Sequence, residues 1–390
     1  DEAIMQQTVT LLRKKYPGSS ITLMANHPES WRVVQNVNIN PSFIHYIQNA
    51  DNAIVKLWRL IQISFDVLFP RRGIWFCQKD DELREIYVLI KNADLVLSAG
   101  GGNFYANTFI GRDFILNVFL LMISGLYRKT IVMLPQSFGP VRSRFQTALL
   151  KKGLSFVKKI YVREEQSYMF LTKIGVDRRV LQSLPDLALM QHIEPPQLDQ
   201  NKDILKIGMT IIDRGAQNKR FKSQETYQLA IIDYIREIIA RTSAEVFIFV
   251  QCYGPSKDQN DSIISASVHN QFDKNPSRVH LLKDYKNSKD FLVDLAKMDI
   301  FISSRMHSAI FAIVTRVPSI LIGYQPKSRG LYDLFDLEKY FVDMGEIHSK
   351  SLYSLSMDLF DNREKNSDQV SSFLKEYQTD IMKAIIKDKW

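Results

Sequence analysis

Cysteine is nearly missing from this sequence: Cys77 and Cys252 stand in separate segments without a CxxC spacing. That excludes a disulfide framework and points to a reduced, cytoplasmic protein in which both are ordinary small apolar residues. Neither an HExxH pattern nor a His/Asp cluster is present, so no metal is expected. Also lacking are a signal peptide and any run of about 20 apolar residues that could span a bilayer. The longest apolar stretch, FILNVFLLMISGLY at 114–127, contains Asn117 and Gly125 and reads as a buried helix. No zinc-finger or RNP-type signature, fixed-period repeat or low-complexity tract is found, which argues against a nucleic-acid partner.

What is present is a chain of 390 residues, 45% hydrophobic, long enough to bury more than one core, and two domains are the expectation. Lys and Arg number 51 against 42 Asp and Glu, a formal +9. The basic residues read as scattered along the chain, and the excess favours anionic partners such as phosphates or acidic membrane surfaces.

The first sixteen residues have a helical period, stopped at Pro17-Gly18 before a strand ITLMA. An α/β domain normally opens on a strand, so a first strand and its loop are expected to precede Asp1. Apolar strands then alternate with helix-length segments: 93–99, 130–134 and 159–162, followed by 204–212, 245–250, 278–282, 299–303 and 319–323. Continuous apolar strands separated by helices predict parallel sheets covered on both faces. The fold expected is α/β, with two doubly wound, Rossmann-like domains facing a central cleft. The boundaries expected are a first domain over 1–190, a linker at 191–203 around a Pro-Pro pair, and a second domain over 204–348. Helices over 349–390 are expected to pack back on the first domain.

In open α/β sheets ligands bind beyond the carboxyl ends of the strands. There the chain places Gly100, Gly101, Gly102 and Asn103, where backbone can approach a ligand, or equally where a tight turn packs against a neighbour. Gln136 and Ser137 follow the next strand as neutral hydrogen-bonding groups at the cleft mouth. Arg163 follows the third, suited to a carboxylate or phosphate, or to an ion pair with Glu164 or Glu165. In the second half Lys327 and Arg329 precede a helix, as anion ligands or as solvated loop charges.

The stretch SSRMHSAIFA, 303–312, is the most pointed. Ser303 and Ser304 are good N-cap residues, which puts Arg305 and His307 in a first helical turn. Positive charge there opposes the helix dipole unless an anion sits between the two side chains, so an anion site is expected. A hydrogen-bonded surface histidine is the alternative.

SSRMHSAIFA followed by PSILIGYQPKSRGLYDLFDL resembles the carboxy-terminal signature of the polysaccharide pyruvyl transferase family. SAGGGNF, LPQSFGP, VREEQS, KIGV and PDLAL stand in that family's order and rough spacing, and DEAI is similar to the tail of its Gly-rich amino-terminal loop. The resemblance covers essentially the whole chain. It implies a fold similar to two-domain GT-B glycosyltransferases, phosphoenolpyruvate as donor substrate without a resident cofactor, and a glycan or lipid-linked oligosaccharide as acceptor of a pyruvate ketal. Carried over, Arg305, Arg163 and Lys327 would hold the donor's anions, with Ser304, the glycine turn, Gln136 and Ser137 beside them, and His307 would be the general acid/base. The acidic residue the family often has beyond the glycine turn is Asn107 here. An amide cannot act as a base, which leaves Asp113, Asp186 or Asp1 for that task.

Two other readings remain. A nucleotide-sugar glycosyltransferase would use similar cations, but the acidic pair many such enzymes use is absent and Glu338 stands alone. A non-catalytic glycan-binding relative would fit Asn107. Finally, Lys56, Arg59, Gln62 and Asp66 recur along 53–76, leaving an apolar face with Trp58, Phe65 and Phe69 before Arg71-Arg72. Such a helix either lies on an anionic membrane face or packs on its own core.

Overall fold

The computed structural model describes residues 2–31, 36–68, 80–106, 108, 111–193, 204–213, 224–254, 260–323 and 326–390, with only backbone for Leu68, Pro326 and Lys327. Asp1, Phe69, Arg71-Arg72, Asn107 and most of the expected linker therefore lie outside the described residues. The chain forms two compact units, one of Asp1–Leu187 with Asp380–Trp390 and the other of Ala188–Thr379.

The first unit opens with α1 (Glu2–Lys15), the small parallel pair β1 (Thr22–Ala25) and β2 (Asn38–Pro41), and helices α2 (Phe43–Gln48), α3 (Ala53–Leu68) and α4 (Asp81–Asn92). The main sheet follows, with β3 (Leu95–Ser98), β4 (Gly101–Phe104), α5 (Arg112–Leu126), β5 (Thr130–Phe138), α6 (Arg144–Leu154), β6 (Lys159–Val162), α7 (Glu165–Lys173) and β7 (Leu181–Ser183). Its order is β3-β5-β6-β7, and β4 continues along the same β5 strand that β3 pairs with. The apolar 114–127 stretch is indeed a buried helix, α5.

Two expectations change here. The strand expected to stop at Leu134 runs on to Phe138, so Gln136 and Ser137 are buried sheet residues rather than groups at a loop mouth. Pro135 lacks an N–H and sits where pairing with β6 shifts register between Met133 and Gln136. The glycine triplet is no open loop either, because Gly101 and Gly102 already belong to β4. A Cβ at Gly100 would stand 2.7 Å from the Pro135 carbonyl oxygen and 3.1 Å from Ile4 of α1, while Gly101 has φ +135°. Close packing and backbone conformation account for these two glycines without a ligand.

The second unit contains β8 (Lys206–Thr210), α8 (Gln224–Arg241), β9 (Glu245–Phe249), α9 (Asp261–His269), β10 (Val279–Leu282), α10 (Ser288–Leu295), β11 (Ile300–Ser303), α11 (Met306–Thr315), β12 (Ser319–Gly323), α12 (Pro326–Asp333), β13 (Phe341–Asp343), α13 (Ser349–Asp361) and α14 (Arg363–Met382). All six strands are parallel in the order β10-β9-β8-β11-β12-β13. In chain order this is 3-2-1-4-5-6, the Rossmann arrangement, whose direction reverses between β8 and β11. Of the terminal helices, α13 packs on α8 in this unit, and only Asp380–Trp390 returns to the first. That end is anchored there by Tyr161, whose hydroxyl donates to the Ala384 carbonyl at 3.1 Å and to Asp388 at 2.7 Å.

Candidate functional site

The reversal point of the second sheet is built from the ends of β8 and β11 and the start of α11. Ser304 donates its backbone N–H to Thr210 Oγ1 at 3.0 Å, and that oxygen lies 3.0 Å from Ser308 Oγ. Ser304 Oγ lies 2.6 Å from the Tyr227 hydroxyl, and Ser308 Oγ donates to the Arg305 carbonyl at 2.8 Å. Burial holds the Tyr227 phenol well above its ordinary value, so this hydroxyl is neutral. These bonds pin the turn that carries Arg305 and His307. They also occupy Ser304, which is 1% exposed and holds the turn together rather than presenting its hydroxyl to a donor.

Arg305 itself, not Ser303 or Ser304, is the N-cap of α11, in extended backbone and without a side-chain cap, and His307 is the second helical residue. The Arg305 side chain reaches the first residue of α9 instead. Its Nε donates to Asp261 Oδ2 at 2.9 Å and its Nη2 to Oδ1 at 2.6 Å, a two-point grip that fixes the guanidinium plane. Asp261 is 1% exposed and the Arg305 side chain 20%. Burial disfavours the Arg305 charge, but the hydrogen bonds and charge of Asp261 outweigh it and raise the group above its ordinary value. The negative partner that the helix dipole demanded near Arg305 is thus supplied by the protein. Asp261 was not singled out in the sequence, where its only signal is an Asn-Asp start before an apolar period.

In the first unit Arg163 follows β6 and is 7% exposed. Its Nε donates to Ser137 Oγ at 2.6 Å and lies 3.4 Å from Glu164 Oε2, while Nη1 donates to Asp186 Oδ2 at 2.6 Å. The ion-pair alternative for Arg163 is the one the geometry favours, with Glu164 as foreseen and Asp186 in addition. Asp186 is 4% exposed in that pair, so it is poorly placed to take a proton from an acceptor. Gln136 donates from Nε2 to Ser98 Oγ at 2.8 Å and ties β5 to β3. Asp113 is exposed at the start of α5 and paired with Arg112 at 2.9 Å. Asn103 is exposed, its carbonyl accepting from Asn117 Nδ2 at 3.2 Å. Lys327 lies in the first turn of α12 by its backbone, and Arg329 stacks over Phe341 at 4.5 Å. Among the described residues, no three His, Cys, Asp or Glu stand together as metal ligands would, and no helix is long and apolar enough to cross a membrane.

Two Rossmann-like α/β units with a pinned arginine and histidine at a strand reversal define a GT-B-like enzyme architecture. The chain belongs to the polysaccharide pyruvyl transferase family, whose model matches residues 1–326. It is 21% identical to the amylovoran biosynthesis protein AmsJ of Erwinia amylovora over 408 residues, covering 99% of this chain and 96% of that one. Among solved structures, it is similar to the UDP-GlcNAc 2-epimerase of Neisseria meningitidis bound to UDP-GlcNAc, with a TM-score of 0.58 at 12% identity over 99% of this chain and 97% of that one. It is also similar to Anabaena HepE in complex with UDP and glucose, with a TM-score of 0.57 at 10% identity over 99% and 95%. These likenesses establish the fold.

Proposed function

We propose that this protein moves the pyruvyl group of phosphoenolpyruvate onto two hydroxyls of a sugar, in a polysaccharide or its lipid-linked precursor, forming a ketal and releasing phosphate. The observation that carries the reading is the Arg305 guanidinium, oriented by Asp261 at the reversal point of a Rossmann-order sheet and two residues from His307. Family membership supports the pyruvyl donor, and the likeness to AmsJ supports polysaccharide biosynthesis.

In this reading Arg305 binds an anionic group of the donor, assisted by Lys327 and the free N–H groups at the start of α12. His307 gives a proton to the donor's methylene carbon, which becomes a methyl group, and takes one from an attacking hydroxyl. The donor's second carbon gains two bonds to sugar oxygens as it loses its double bond to the methylene carbon and its bond to the phosphate oxygen, and the second hydroxyl's proton leaves with the phosphate. Arg305 stabilises the leaving phosphate. No cofactor is needed, because the donor is itself consumed. Arg163, closed in its own ion pairs, holds the end of β6 rather than the donor.

The second reading, a nucleotide-sugar glycosyltransferase, draws on the UDP and glucose bound to the structurally similar HepE. Calorimetric titration with phosphoenolpyruvate and a panel of nucleotide sugars, on the parent and on Arg305→Ala, separates the two. Phosphoenolpyruvate binding that disappears in the variant is the expected result, and binding of a nucleotide sugar alone would overturn the pyruvyl reading.

A further inference from the structure

The chain's positive charge is not scattered. Between Asp113 and Glu164 the sequence holds nine cations and no carboxylate, equal to the formal +9 of the whole protein. The structure brings most of that charge to one edge of the first unit. Arg128 and Lys129 directly precede β5, Lys158 directly precedes β6, and Lys151 and Lys152 stand in the last turn of α6. The Lys158 N–H donates to the Ile131 carbonyl at 2.9 Å, which ties the two strand entries together. Lys173 ends α7 at the same amino-terminal edge of the sheet. None of these six forms an ion pair among the described residues. The carboxylates nearby are few: Asp94 before β3, Asp177 held by Arg179 at 2.6 Å, and Asp388 near Lys159 at 3.7 Å. Such a concentration of like charge stabilises nothing in the fold.

Helix α3, which packs on α5, adds an apolar face turned outward. Gln62 and Asp66, expected at the solvent side, are 7% and 4% exposed, with Gln62 at 3.5 Å from the Tyr46 hydroxyl and Asp66 accepting from Tyr87 at 3.2 Å. Ile54, Leu57, Trp58 and Ile61 are instead 81%, 59%, 51% and 46% exposed, at the spacing of one helical stripe.

We propose that this basic edge and the α3 stripe dock the protein on an anionic lipid bilayer. A bilayer meets both features, with lipid phosphates for the lysines and hydrocarbon for the four apolar side chains. A nucleic acid or acidic glycan answers only the charge. The inference does not rest on the pyruvyl reading, because none of these residues belongs to the site around Arg305.

The test is flotation of the full chain with phosphatidylcholine vesicles, with and without phosphatidylglycerol. The chain floats only with phosphatidylglycerol, and added salt releases it. Each surface cation removed weakens partitioning about fivefold, so Lys151→Ala with Lys152→Ala lowers it roughly 30-fold. Leu57→Gln with Ile61→Gln lowers it further without altering the salt dependence, and both pairs keep the parent's circular dichroism and urea unfolding midpoint. Absence of flotation, equal flotation on uncharged vesicles, or an α3 variant that partitions like the parent would each overturn the proposal. The last outcome, joined to tight heparin binding, would reassign the edge to a soluble polyanion.

Discussion

Replacing Asp261 with alanine leaves the Arg305 guanidinium in a largely dry position without the carboxylate that now takes its Nε and Nη2. Removing one partner of a buried ion pair costs about 3–5 kcal/mol, because the remaining charge is stranded. Water reaches part of Arg305, whose side chain is 20% exposed, so the lower end, about 3 kcal/mol, is expected. The loss falls on the second unit. All four tryptophans lie within the bounds of the first unit, so their fluorescence would miss it. Hydrogen exchange of the α9 and α11 amides is the proper assay, and opening there should become roughly 100-fold more frequent. Asp261→Leu combined with Arg305→Met removes both charges and should recover most of the loss. If Asp261→Ala changed protection by less than about 1 kcal/mol, or if the double variant were no better than the single, a stranded charge would not be the cause.

Three further outcomes are expected. His307→Gln should lower turnover about 100- to 10,000-fold while phosphoenolpyruvate still binds, and a drop of only a few-fold would remove His307 from proton transfer. Asp186→Asn should destabilise the first unit by about 1–3 kcal/mol, measured by urea unfolding, and leave donor titration within twofold of the parent. A large loss of turnover with stability intact would restore Asp186 as a base. Gly100→Ala should cost about 1–3 kcal/mol, because the new methyl would stand 2.7 Å from backbone oxygen that cannot swing aside. Equal urea midpoints would show that the strand relaxes there.

The elements legible in the sequence were the long apolar ones. Strands β8 to β12 sit where continuous apolar runs placed them, because a buried parallel strand needs no polar alternation. Strands β2, β4, β7 and β13 escaped notice because NINP, GGNF, LQS and FVD are only three or four residues long and the first three hold one large apolar residue each, so they are held by pairing with a neighbour rather than by their own pattern. The reversed face of α3 was illegible for a related reason. Gln62 and Asp66 are buried because hydroxyls of Tyr46 and Tyr87 meet them, and those partners come from α2 and α4. Periodicity alone places a polar residue in water.

The candidate site divides along the same line. A strand-tip arginine is visible in sequence, but its task depends on the carboxylate it meets. Arg163 donates to Asp186 from beyond the next strand, beside Glu164, and is 7% exposed between two carboxylates. Arg305 donates to Asp261, 44 residues away, which grips it along one edge of its guanidinium. In the first arrangement a further anion would meet the two carboxylates already on Arg163. The second is oriented along one edge, beside a helix start that favours negative charge. The same substitution should therefore separate them. Arg163→Met should cost unit stability and spare donor affinity, whereas Arg305→Met should remove donor binding. Equal loss of donor binding in both variants would mean that carboxylate pairing does not divide structural from ligand arginines here.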